Sequence, residues 1–323
     1  MPEAPLHTGH RLPGPVVAVV GPTGVGKTAA GEEIALRLGG EIVSADSMQV
    51  YRGMDVGTAK ALPEQRRVPY HCVDLVDPGT PYSAALFQSD ARAAIDTLLE
   101  RARTPVVVGG TGLYVRAALD EMSFPRGMAA SPAREQLERL ADVLGPQGIH
   151  AYLAERDPES AAMIHPNNVR RVIRAIEMLE SDGVPYSEQA AGFAQRRSSY
   201  ETVYIGLTMD RARLYGRIDA RVDAMIASGL LDEVRGLLEI GYREALTATQ
   251  AIGYKEFVPV IDGTAPLAEA IESVKLSSRR YAKRQLTWFR GDPRITWLDV
   301  ADLSPGDAAD AAWRLVESAL HTA

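Results

Sequence analysis

Residues Gly21-Pro22-Thr23-Gly24-Val25-Gly26-Lys27-Thr28 follow the pattern G-x-x-x-x-G-K-[ST]. This pattern can do phosphate chemistry. Its glycines let backbone N–H groups close around an anion, and the helix N-terminus that should follow adds partial positive charge. Lys27 contributes a point charge, and the Thr28 hydroxyl can hold Mg²⁺. The pattern specifies a di- or triphosphate without saying which. A glycine-rich turn without the flanking strand and helix would have neither property.

Two further segments carry reactive side chains after short apolar runs: Asp46-Ser47-Met48-Gln49 and Gly109-Gly110-Thr111-Gly112. A lone Asp after a strand is often a helix cap, and Gly-Gly-Thr is often only a turn. A third group is a row of arginines, Arg213, Arg217 and Arg221, at every fourth residue. Arg217 and Arg221 have no acid three or four positions away, so the row repels itself. It is either a solvated face or ion-paired elsewhere, or it meets an anion such as the far end of a diphosphate.

These residues must be brought together by the elements around them. Val16–Val20 predicts a strand, Lys27–Leu38 a helix stopped by Gly39-Gly40, and Glu41–Ala45 a second strand. Val73–Val76 is expected as a short third strand, Ala84–Arg101 as a helix and Val106–Val108 as another strand. Such alternation is the mark of βαβ units on a parallel sheet. In an open parallel sheet, ligands sit beyond the carboxyl ends of the strands, which gathers the glycine loop, Asp46 and Thr111 at one edge. From 123 to 200 the pattern turns to helical segments broken by Pro and Gly. A strand at Thr202–Leu207 follows, then helices at Ala212–Ile226 and Leu267–Arg290. The expected fold is α/β: a P-loop NTPase-like core from 15–122 and 201–323, a helical insertion at 123–200, additional C-terminal helices, and a flexible tail over 1–14.

The 323 residues suit such a two-part chain, and 46% hydrophobic residues make an ordinary globular composition. A lone cysteine, Cys72, excludes a disulfide framework and Cys-based zinc sites. No run approaches the ~20 apolar residues of a membrane span. The first 14 residues lack a signal peptide's apolar core, so a cytoplasmic location is expected.

Net charge is −7, yet positive charge is segregated. Arg170, Arg171 and Arg174 lie opposite the apolar side Val169, Val172, Ile173, Ile176 and Leu179 of one helix. A second stripe holds Lys275, Arg279, Arg280, Lys283, Arg284 and Arg290, with Tyr281, Trp288 and Phe289 interleaved and no acid from Ser273 to Gly291. One stripe is ordinarily a solvated face. Two beside a phosphate site point to a polyanion.

The chain resembles the tRNA dimethylallyltransferase (tRNA isopentenyltransferase) family along nearly its whole length. The resemblance rests on the glycine loop at 21–28 and on Asp46-Ser47-Met48-Gln49-Val50-Tyr51. Segments 53–60 (GMDVGTAK), 109–114 (GGTGLY), 165–177 (HPNNVRRVIRAIE), 217–222 (RIDARV), 250–256 (QAIGYKE) and 281–290 (YAKRQLTWFR) complete it. It implies dimethylallyl diphosphate in the glycine loop, Mg²⁺ as cofactor and the tRNA anticodon stem-loop as partner. The prenyl group would pass to the exocyclic amine of the adenosine 3′ to the anticodon. The same resemblance makes Asp46 the base, Thr111 a positioning group and Arg221 a diphosphate ligand. It puts Asp46, Ser47, Met48, Gln49, Thr111, Arg134, Arg170, Arg171, Arg174, Gln250, Gly253 and Lys255 on tRNA, joined by Lys283 and Arg284 of the second stripe. A monomer away from membranes is expected. A P-loop small-molecule kinase shares the loop and sheet but leaves both stripes idle. A nucleotide-gated RNA-binding switch leaves Asp46 and Thr111 without purpose. The roles of Asp74 and Asp77 are not legible.

Overall fold

The apolar run Val16–Val20 forms strand β1, buried at every residue. In the computed structural model, which describes residues 15–124 and 132–322, it is the centre of a six-stranded sheet. The expected tail at 1–14 lies outside the described residues. The other strands are β2 (Glu41–Ser44), β3 (Tyr70–His71), β4 (Pro105–Gly109), β5 (Thr202–Thr208) and β6 (Ile295–Asp299), in the spatial order β3-β2-β4-β1-β5-β6. All pairings are parallel, with Val17 beside Val106 on one side and Val203 on the other. Parallel neighbours need crossover connections, so helices cover the sheet. They include α1 (Lys27–Leu38), α2 (Ala84–Glu100) and α3 (Gly112–Leu119).

The expected strand at Val73–Val76 is corrected. The third strand is Tyr70–His71, and Val76 makes only an isolated bridge to Tyr51. Cys72 (φ +59°) and Asp74 (φ +54°) take left-handed backbone angles, which end the extended run. The cause lies nearby. Buried Lys60 donates to the Tyr51 carbonyl (2.8 Å), Asp55 (2.5 Å) and Asp74 (2.6 Å), drawing the turn inward. Asp74 is therefore a structural counter-ion, and Asp77 pairs with Arg52 at the surface (2.9 Å).

The chain divides into two compact units, one of residues 120–197 and one of the remainder. The division falls three residues ahead of the expected 123–200. The smaller unit contains α4 (Pro132–Arg156), α5 (Pro158–Met163), α6 (Val169–Asp182) and α7 (Tyr186–Ala194). Its core includes Leu137, Ile149, Leu153, Val172, Ile173 and Ile176. α4 bends at Gly145 (φ +69°), immediately before Pro146. The larger unit adds α8 (Arg211–Ala227), α9 (Leu230–Glu239), α10 (Val258–Ile261), α11 (Leu267–Arg290) and α12 (Pro305–Thr322). α8 packs on α11, and α12 on α1.

Replacing Lys60 by Met should destabilise the protein by about 2–3 kcal/mol. This is below the ~3–5 kcal/mol of a fully buried pair, because both carboxylates keep contact with water. Urea denaturation checks it, and a midpoint within error of the parent would show that the three-way ion pair holds nothing.

Candidate active site

The glycine loop leaves β1 and enters α1. Gly24 (φ +81°) and Gly26 (φ +106°) occupy backbone regions that side chains resist, which turns the loop and starts the helix. Val25 is buried in the core, while Lys27 and Thr28 line a deep cavity of about 90 Å³ beyond the sheet edge. Lys27 Nζ donates to the Pro22 carbonyl (2.8 Å). Its pKa is lowered to about 8, chiefly by burial; Asp46 opposes the shift and Arg221 adds to it.

Two loops complete the edge. After β2, an Asp46 carboxylate oxygen accepts the Met48 N–H (2.9 Å). After β4, the Thr111 hydroxyl accepts the Ser47 N–H (3.1 Å), donates to the Ser47 hydroxyl (3.3 Å) and lies 3.5 Å from the Tyr281 hydroxyl. Asp46 and Thr111 thus belong to one hydrogen-bonded turn. Gln49 accepts from the Ser44 hydroxyl (3.0 Å) and donates to the Thr58 carbonyl (3.3 Å).

A wider cavity of about 500 Å³ shares Thr23, Asp46, Thr58, Arg221 and Tyr281 with the deep one. Ser47, Met48, Gln250, Gly253, Lys255 and Arg284 line it, as do the apolar side chains Ile218, Val222, Met225 and Val274. The predicted core residues Gly21–Thr28, Asp46–Gln49, Thr111 and Arg221 are therefore gathered at one place.

The arginine row divides. Arg221 donates to the Thr23 hydroxyl and the Thr58 carbonyl, both at 3.4 Å. Burial works against its charge and Asp46 supports it. Arg213 pairs instead with Asp302 (2.5 Å), and Arg217 is exposed. The second stripe divides too. Lys275 meets Asp223 (2.8 Å) and Arg279 meets Asp219 (2.6 Å), so both are consumed by α8. Arg280 and Arg284 face the wide cavity. Lys283 lines a different one, with Arg211, Tyr215 and Arg290. Residues on one face of a long helix need not share a neighbour.

In the smaller unit, Arg170 and Arg171 are exposed, while Val172, Ile173 and Ile176 are buried. Arg174 is not a bystander to the fold. It donates to Glu177 (2.8 Å), whose buried carboxylate also meets Arg134 (3.5 Å).

Three participants escaped sequence reasoning. Gln285 joins the glycine loop to the loop after β4. The Thr58 carbonyl serves Gln49 and Arg221, and a backbone acceptor leaves no mark in residue type. Glu233 on α9 accepts the N–H groups of Asp55 (3.0 Å), Val56 (2.8 Å) and Gly57 (3.2 Å), and the Tyr254 hydroxyl (2.6 Å). It thereby fixes the segment that carries Thr58. A polar residue among the basic ones at 279–290 was the only available signal for Gln285.

Residues 49–292 match the family model described as IPP transferase, and residues 14–68 match that described as isopentenyl transferase. A tRNA dimethylallyltransferase of Geobacillus thermodenitrificans is 51% identical over 288 residues, covering 89% of this chain and 91% of the relative. The chain belongs to the tRNA dimethylallyltransferase family. Another member of the family, from Desulforudis audaxviator, is 47% identical over 308 residues, covering 95% and 98% of the two chains. The full-length tRNA isopentenylpyrophosphate transferase of Bacillus halodurans superposes with a TM-score of 0.71 at 44% identity, covering 95% of this chain and 97% of that one. A eukaryotic dimethylallyltransferase acting on tRNA gives a TM-score of 0.76 at 29% identity, with 92% and 76% covered.

Two outcomes follow from the electrostatics. Lys27 should be labelled by an amine-acylating reagent with a midpoint near pH 8, well below surface lysines; residue-resolved mass spectrometry measures this. Because its folded pKa lies below the unfolded value, the charged form opposes folding below about pH 8. That cost should fade as pH rises toward the unfolded pKa of ~10.4. Separately, Arg174→Ala should lower thermal stability by about 1–3 kcal/mol by depriving buried Glu177 of a partner, while Arg171→Ala stays within about 0.5 kcal/mol. Equal melting temperatures for the two variants would refute the distinction.

Proposed function

We propose that this protein transfers the dimethylallyl group of dimethylallyl diphosphate to the exocyclic amine of the adenosine 3′ to the tRNA anticodon, releasing diphosphate. The observation that carries this reading is the pair of joined cavities. The deep one holds Lys27, Thr28 and Arg221, as a diphosphate requires. The wide one combines an apolar patch with Arg280 and Arg284, as a prenyl tail and a nucleotide require. Asp46 lines both.

The residues divide the work. The lone pair of the adenine amine attacks the allylic carbon, and the C–O bond breaks with its electrons going to diphosphate. Lys27, Arg221 and the N–H groups of the glycine loop stabilise that charge where it grows, and burial strengthens them. The amine proton passes to the Asp46 carboxylate, held through its bond from Met48 N–H and through the Thr111–Ser47 pair. The target base must leave its stack to enter the wide cavity. Ser47, Met48, Gln250, Gly253 and Lys255 line that cavity and would receive it, while Gln49 lines the deep one.

The deep cavity offers the oxygens of Thr28, Ser44 and Asp46 and no His or Cys, which fits Mg²⁺, an ion that keeps waters and takes few protein ligands. Among the described residues no cluster of three His, Cys, Asp or Glu forms a cage, so Thr28 and the substrate's own oxygens would hold it. When bound, it neutralises diphosphate charge. Arg170 and Arg171 are the phosphate contacts of the smaller unit; Arg134 and Arg174 serve Glu177 first. A cytoplasmic location, where tRNA is found, accords with there being no membrane-crossing helix among the described residues.

The direct test is incubation with labelled dimethylallyl diphosphate, Mg²⁺ and unmodified tRNA. Label should enter RNA, with no consumption when tRNA is omitted. Steady ATP turnover with a phosphorylated small-molecule product would favour the kinase reading instead. Asp46→Asn should slow single-turnover transfer by ~10²–10⁴-fold while diphosphate affinity changes little. For RNA contact, Arg170→Ala and Arg171→Ala should each flatten the log–log salt dependence of tRNA binding by about 0.7–0.9. An unchanged slope in the folded double variant would make that face merely solvated.

A further inference from the structure

Gln285 lies on α11 with 5% of its surface exposed. Its amide oxygen accepts the Thr23 N–H of the glycine loop (2.8 Å), and its amide nitrogen donates to the Gly110 carbonyl (2.9 Å). Both ends of one buried amide are thus satisfied, by two loops that are 87 residues apart in sequence, at 23 and 110. A Cβ at Gly110 would come within 2.2 Å of that nitrogen, so the close approach requires glycine there. One turn earlier on α11, Tyr281 approaches the Thr111 hydroxyl (3.5 Å). One turn later, Trp288 packs where a Cβ on Gly112 would lie, at 2.1 Å. Tyr281, Gln285 and Trp288 share a helix face and together grip Gly110-Thr111-Gly112.

The consequence concerns the reaction. Thr23 receives Arg221, and its loop carries Lys27, so this side holds the leaving group. Thr111 holds Ser47 and, through it, the turn that bears Asp46, so that side holds the attacking amine and its base. We propose that Gln285 is a positioning residue that fixes the spacing between the diphosphate loop and the Asp46–Thr111 turn. Its amide oxygen and nitrogen are both given to backbone, so it acts through the two loops. The inference rests on the prenyl-transfer reading above. Bond formation and bond cleavage must align across these two loops, and a displacement on the order of 1 Å can cost ~10²-fold in rate.

Asp46, Lys27, Arg221 and Tyr281 line the same cavity, so the main variant at 285 preserves volume and neutrality, and a second, charged one retains a single hydrogen bond. Gln285→Met removes both hydrogen bonds and keeps the length. Gln285→Glu keeps an acceptor for Thr23 but offers the Gly110 carbonyl no donor when ionised. The measurement is the single-turnover rate per active site, with sites counted by bound inorganic diphosphate, beside filter retention of tRNA and thermal melting. Gln285→Met should lose about 10²-fold in transfer rate, with tRNA retention within about twofold of the parent. Gln285→Glu should fall in the same direction. A residue serving stability alone would lower the melting temperature and the count of active sites but leave the rate per site intact; that result overturns the proposal. Should both variants unfold, amide exchange in the native protein decides. The Thr23 N–H should be protected like a sheet amide, and exchange as fast as an exposed loop overturns the inference. Absence of product from the parent protein would instead remove the prenyl-transfer reading, so the two failures are distinguishable.

Discussion

Two half-buried cations beside one another are the constraint from which the rest of the site follows. Lys27 and Arg221 repel, and both lose water in the deep cavity. Among the described residues Asp46 opposes that cost. An arriving diphosphate would relieve it more fully, because charge–charge attraction is strongest where water is excluded. An anion entering such a site would remove a strain that the site already carries. Its geometry must therefore be maintained by groups other than the ligand.

That maintenance is visible in side chains that hold backbone groups. Glu233 caps three consecutive backbone N–H groups and so sets the Thr58 carbonyl that Arg221 uses. Lys60 gathers Asp55 and Asp74 around the far end of the same segment. Gln285 performs the corresponding task between the glycine loop and Gly110. Each device is a buried or half-buried polar group with its partners supplied, which rigidifies where a partly satisfied one would destabilise. The sheet contributes position and these contacts contribute precision.

What was legible in the sequence follows from the range of each interaction. Lys27–Leu38 and Leu267–Arg290 form helices over the expected bounds because periodicity and stop signals are local. The strands β1, β4 and β5 were legible for the same reason. Val73–Val76 failed as a strand because an ion pair fourteen residues back decides that turn. Within the site, residue types with intrinsic chemistry were recognisable: Lys27, Asp46, Thr111, Arg221. Gln285 and Glu233 were not, because an amide or carboxylate gains its role only from backbone groups brought to it by the fold. The Thr58 carbonyl was invisible in principle, since every residue has one. Resemblance supplied the prenyl donor and the RNA acceptor. The residues themselves argued only for a phosphorylated ligand and a polyanion.

The basic stripes show how a protein of net charge −7 can still meet RNA. Positive charge on α11 is sorted around the helix by the acids that face it. Lys275 and Arg279 turn toward Asp223 and Asp219 of α8 and are neutralised there. Arg280 and Arg284 turn into the wide cavity, where no ion-pair partner occurs among the described residues, and Arg284 lies over the Tyr281 ring. A cation over an aromatic face keeps its charge available while its stem is packed. The sorting matters because salt screens charges farther apart than ~8–10 Å, so the remote acidic surface does little to cancel a local basic cluster. Net charge then governs solubility, and the local arrangement governs what is bound. Arg221, Arg280 and Arg284 all line the wide cavity together with Asp46, so a polyanion reaching it would meet concentrated positive charge beside that carboxylate.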